Sequence, residues 1–116
     1  MSNQRIRRLE RDIDEIRQEL LGLGDLRPGS LTEQYNVCGT ANCRCKGNPP
    51  QKHGPYYQLS FTRPSGSSSR FVRKNEVIVV KRQLMNYRRL TELIEKWVDL
   101  AQEVCELRTA ELRSKK

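Results

Sequence analysis

Three cysteines and the only histidine of the chain fall within sixteen residues, as Cys38, Cys43, Cys45 and His53 in the spacing C-x4-C-x-C-x7-H. Between them, Asn48-Pro49-Pro50 excludes a helix, because neither proline offers a backbone N–H. A loop of this kind needs a staple. Three thiolates and a neutral imidazole are the donors of a closed tetrahedral Zn²⁺ site, so the segment reads as a zinc knuckle with Zn²⁺ as a structural cofactor. Cys105 is an alternative fourth ligand, although its place on an apolar helical face suits a buried core thiol better. The plain alternative is three free cysteines in a loop.

The charge is concentrated around this cluster. The net +8 divides into five basic and six acidic residues over 1–25, twelve against two over 26–89, and five against six over 90–116. Such a concentration predicts a polyanion-binding surface, with duplex DNA the first candidate partner and RNA the second. The mean hydropathy of −0.80 and a longest apolar run of only Val77-Ile78-Val79-Val80 leave no membrane-spanning segment. Residues 1–25 lack the apolar core of a secretory signal, and thiols held for metal suit a reducing compartment, so a cytoplasmic location is expected.

Apolar periodicity sets the expected fold. Ile6, Leu9, Ile13, Ile16 and Leu20 repeat at three and four and predict an amphipathic helix from about Asn3 to Leu21, capped by Ser2 or Asn3 and ended by Gly22 and Gly24. Residues 31–37 read as a strand with Leu31, Tyr35 and Val37 on one side. Residues 56–62 and 69–73 read as a hairpin around a turn at 64–67. From Asn75, a plausible N-cap, one seam runs through Val77, Val80, Leu84 and Tyr87 and another through Leu90, Leu93, Trp97, Leu100, Val104 and Leu107. Neither Gly nor Pro interrupts residues 75–116, which predicts one helix of about 36 residues, on the order of 54 Å long. The four β-branched residues at 77–80 oppose it locally.

The expected fold class is therefore α+β. A small three-stranded antiparallel sheet (25–74) carries the knuckle and is flanked by an N-terminal helix (1–24) and a long C-terminal helix (75–116). The two helices would form a coiled-coil-like pair within one domain, or across a homodimer. On the sheet, Tyr57, Leu59 and Phe61 alternate with Tyr56, Gln58, Ser60 and Thr62, so one face can pack while the other meets a ligand. Tyr57, Phe61 and Phe71 are expected in the core. Candidate phosphate contacts are Arg44, Lys46 and Lys52 in the knuckle, Arg63, Arg70, Arg73 and Lys74 on the hairpin, and Lys81-Arg82 with Arg88-Arg89 recurring on one helix face. No nucleophile motif or phosphate loop accompanies the histidine, so an enzyme is not expected.

Segments 27–35 (RPGSLTEQY), 38–47 (CGTANCRCKG), 53–60 (HGPYYQLS), 70–74 (RFVRK) and 83–89 (QLMNYRR) together resemble a family of short prokaryotic proteins with a domain of unknown function. The resemblance implies a transposon-associated setting and treats Cys38, Cys43, Cys45 and His53 as one site. It implies no catalytic residues. The strand-strand-helix order from Tyr56 to Trp97 is also similar to the arm-binding domains of tyrosine recombinases, a likeness of element order and basic strands. The expected role is an accessory DNA-binding protein, with a transposase or another protein as possible partner. The rival is a protein-interaction adaptor that uses its helical hairpin.

Overall fold

Helix-period apolar residues at both ends of the chain and strand-period residues between them produce two separate cores. A computed structural model describes residues 2–114. Its elements are α1 (Ser2–Leu21), β1 (Ser30–Asn36), β2 (His53–Arg63), β3 (Gly66–Val72) and α2 (Val77–Ser114). These form two compact units. One joins α1 to the part of α2 from Asn86 onward, and the other spans Leu26–Met85.

In the helical unit, the a/d seam of α1 is buried as expected. Ile6, Leu9 and Ile13 cluster with Val104, and Trp97, Leu100, Ala101 and Leu107 pack around them. Contacts pair Glu19 with Arg89, Arg17 with Trp97 and Arg5 with Glu103, so the two helices run antiparallel. The Arg17 guanidinium lies 5.1 Å from the centre of the Trp97 ring, a cation–π contact. α1 already includes both Ser2 and Asn3, so neither is its cap. The α1 end is closed by Gly22 N–H donating to the carbonyls of Gln18 and Glu19.

The sheet unit has the order β1-β2-β3, with both pairings antiparallel. Leu31 pairs with Leu59 and Tyr57 with Val72, which sends these four to one face. There Leu59 and Val72 meet Val77 and Val80 of α2, with Leu84 beside them. The β-branched run at 77–80 is helical because two of its members supply that core, while Ile78 and Val79 stay exposed. Asn75 lies in a 3-10 turn (Lys74–Glu76) and is not the N-cap of α2. The Arg73 N–H instead donates to the Glu76 carboxylate at 3.0 Å, and the Glu76 N–H returns to the Arg73 carbonyl.

Two sequence expectations fail on register. The hairpin turn is the two residues Pro64-Ser65, since Arg63 pairs with Gly66. That register puts Val72 in the core and Phe71 on the opposite face, where it is 66% exposed. In β1, the ladder shifts between Gln34 and Asn36, so Tyr35 and Val37 leave the face of Leu31 and are exposed.

Gly29 fixes the entry to β1. It has φ +128°, and a Cβ there would lie 2.6 Å from the Ser60 carbonyl oxygen. Gly29→Ala is expected to destabilise the sheet unit by about 1–3 kcal/mol through this strain. Leu59→Ala should cost about 2–5 kcal/mol by leaving a cavity. Segment-resolved amide exchange should show lost protection in β1–β3 for both variants, with protection of α1 unchanged.

Candidate metal centre

Chain connection builds the site from its two ends. β1 and β2 are neighbours, and Asn36 pairs with His53 across the ladder. Cys38 lies just beyond this β1 end and His53 opens β2, so antiparallel pairing alone brings them together. The loop between them folds back through a short 3-10 turn, Arg44–Lys46. Its backbone bonds are local: Cys43 N–H to Thr40 O, Lys46 N–H to Cys43 O, and Gln51 N–H to Arg44 O at 2.9 Å. This fold returns Cys43 and Cys45 to the strand ends.

The four side chains converge. Their donor atoms all lie within 4.8 Å of one another. Cys38 Sγ is 3.6 Å from Cys45 Sγ, and Cys43 Sγ is 3.0 Å from His53 Nε2. Around a tetrahedral ion with bonds of about 2.0–2.3 Å, neighbouring donors stand roughly 3.3–3.8 Å apart; the Cys38–Cys45 separation falls in this range, and shifts of under about 1.5 Å bring the remaining donors to it. Cys45 is buried at 1% exposure, while the other three are half-buried. All three thiols are free, and the Cys38 N–H donates to Cys45 Sγ at 3.3 Å, a bond that favours the thiolate.

The electrostatics divide the thiols. A backbone hydrogen bond from Thr40, followed by contacts with Cys43 and His53, lowers the Cys38 thiol to about 6. The backbone N–H of Cys45 chiefly lowers Cys43. Burial raises Cys45, and the Cys38 and Cys43 side chains raise His53. Thiolates beside an imidazole attract a cation, and a bound cation would in turn hold the buried Cys45 deprotonated. Cys38, Cys43, Cys45 and His53 can therefore hold one metal ion.

Gly54 makes this closeness available, a role not evident from the motif. It has φ +139°, and a Cβ there would sit 2.8 Å from the Gln34 carbonyl oxygen and 3.0 Å from Tyr35 Cδ1. Glycine lets the residue after His53 lie directly against the irregular end of β1. Cys105 is no part of this cluster. It is exposed on the helical unit, because its helix face is turned away from the buried seam at Val104.

The basic residues fall into two settings. Arg44, Lys46, Lys52, Arg63, Arg70, Arg73, Lys74, Lys81 and Arg82 belong to the sheet unit, and Arg88 and Arg89 to the helical unit. The five ion pairs among the described residues, including Arg89 with both Glu19 and Glu92, lie in the helical unit. The Arg89 guanidinium is thereby occupied. The sheet unit holds ten Lys and Arg against two acids, Glu33 and Glu76. Those acids accept from the Tyr35 hydroxyl and the Arg73 backbone N–H, and neither forms an ion pair among the described residues.

A β-hairpin unit with a Cys₃His cluster at its strand ends defines a small candidate metal-binding module. The chain belongs to the family described as a domain of unknown function, DUF6788, whose model matches residues 3–82 and so takes in α1, the sheet and all four cluster residues. No curated protein and no solved structure matches the chain. No helix among the described residues is long and apolar enough to cross a membrane.

Cobalt(II) added to the reduced, metal-free protein should give intense d–d bands of a tetrahedral thiolate site, saturating at one equivalent per chain. In Cys43→Ser the bands should weaken and the midpoint of thermal unfolding should fall. Gly54→Ala should weaken metal affinity at least about tenfold, because the strain it introduces competes with ligand convergence.

Proposed function

We propose that the protein is a zinc-stabilised DNA-binding accessory factor. Zinc suits a donor set of three thiolates and one imidazole. With all four tetrahedral positions taken by protein, its role is structural. The single histidine is committed to that site, so the reading is of a binding module without catalysis of its own.

The observation that carries DNA binding is the separation of charge between the two units. The helical unit is neutral, with twelve basic and twelve acidic residues, and the ion pairs lie there. The sheet unit keeps the net +8 with no ion pair among its described residues. Like charges left unneutralised on a small unit repel one another, and a polyanion relieves that repulsion. The resemblance to transposon-associated proteins makes mobile DNA the natural setting, with a transposase as the partner to be positioned. A reducing cytoplasm would keep the thiols available to zinc.

A second reading draws on different residues. Ile94, Val98 and Leu112 are exposed on α2 in the helical unit, a surface that suits a protein partner or a second copy. An adaptor of that kind would bind through apolar area and respond little to salt.

Titration of fluorescently labelled duplex DNA across a salt series separates the two. The expected logarithmic slope is about −4 to −6, equivalent to five to seven phosphates contacted. The paired variant Lys81→Ala with Arg82→Ala should reduce the slope by up to about 2. Absence of binding at low salt would reject the DNA reading.

A further inference from the structure

The face of the sheet turned away from the core has an unusual composition. Register places Thr32 and Gln34 of β1, Gln58 and Ser60 of β2, and Ser69 and Phe71 of β3 together on it. The strands set no charged residue on this face. The acid Glu33 and the cations Arg63 and Arg70 fall on the alternate positions. Hydroxyls and amides therefore form a continuous uncharged surface, with two exposed aromatic rings, Phe71 and Tyr56, in the most basic part of a basic protein. An open trough of about 500 Å³ runs along it, bordered by Ser30, Ser60, Thr62 and Ser67.

The cations stand at the two ends of this face. β1 ends, β2 begins and β3 ends on one side, where the metal loop carries Arg44, Lys46 and Lys52 and the chain leaves β3 through Arg73 and Lys74. The other side holds Arg27, just before β1, and Arg63 at the hairpin turn. From Tyr56 to Arg63 the central strand covers about 23 Å at 3.3 Å per residue. The major groove of B-DNA is about 12 Å wide, so a ribbon of this length lies obliquely along the groove instead of straight across it, with its neutral middle towards the base edges and its charged ends near the phosphates.

We infer that this open face reads base edges in the major groove, with Gln58 and Phe71 as its specificity-determining residues. The inference rests on the DNA-binding function proposed above and deepens it. The Gln58 side chain is fixed by its neighbour. Its Oε1 accepts from Gln34 Nε2 at 2.7 Å, which leaves its own NH₂ group available to donate. Gln34 is thus a positioning residue. The neighbouring Thr32 hydroxyl donates to the Gln58 carbonyl at 3.4 Å. Phe71 pairs with Gln58 across the ladder and supplies an apolar contact of the kind that meets a thymine methyl. An NH₂ donor beside an apolar ring favours a major-groove acceptor, as on guanine or adenine N7 or thymine O4, next to a thymine methyl and disfavours the cytosine amino group. The flanking cations fix the register and carry no sequence information.

The decisive experiment is selection from a randomised duplex DNA library with the full-length, zinc-loaded chain, followed by competition titrations with the selected duplex and its single-base-pair variants. Wild type is expected to enrich a short motif and to discriminate at one position by roughly 2- to 12-fold, the worth of a single hydrogen bond. Gln58→Ala should lose that discrimination while keeping zinc content and salt slope unchanged. The solvent-exposed Phe71→Ser, less dependent on folding, should lose preference for thymine over uracil at a neighbouring position. If wild type binds every duplex alike with strong salt dependence, base reading is overturned and DNA binding stands. If a motif is enriched but both variants retain it, the assignment to this face is overturned. If no duplex binds at low salt, the DNA-binding function fails, and the inference with it.

Discussion

The sheet unit depends on closing the connection between β1 and β2. That connection has a single 3-10 turn as its regular structure and contains two adjacent prolines. Ordering each of its residues costs about 1–2 kcal/mol of conformational entropy, and only Cys45 within it is buried deeply enough to return much of that through burial. The converging thiols and imidazole are what can offset the cost. A metal bound there would link the end of β1, the loop and the start of β2 at one point, and so hold the central strand against which the other two pair.

Charge is organised around the same division. In the helical unit, acids answer bases, as in the Glu19–Arg89 and Glu10–Arg108 pairs, which supply little stability individually but leave the surface neutral. In the sheet unit the bases stay unanswered, and its core of Leu59, Val72, Val77 and Val80 must hold against their repulsion. A metal held by the cluster would act with this core to keep the charged surface rigid. The uncharged face between the charged ends takes no part in that core or in the ion pairs among the described residues.

Most of this was legible in the sequence where one principle acted alone. Heptad spacing located α1 and the distal part of α2, and the ligand types and their spacing identified all four members of the cluster. Errors arose where two influences competed. Phe71 and Val72 are adjacent hydrophobes on a strand, and only the turn length decides which faces inward; a two-residue turn gave the core to the smaller one. The register shift near Tyr35 had no strong local signal. Cys105 looked apolar by neighbourhood, yet it lies one position beyond the buried Val104 and so on an outward face. Gly54 could have been found as a glycine adjoining a ligand, but its approach to Gln34 depends on β1, which is distant in sequence.

Amide hydrogen exchange of the untagged protein, loaded with zinc and then treated with a chelator under reducing conditions, tests the central claim most directly. The account predicts that protection collapses in the metal loop and in β1–β3, while α1 and α2 from Asn86 onward keep theirs. Unchanged protection in the sheet after chelation would contradict it, because the sheet would then stand without the cluster.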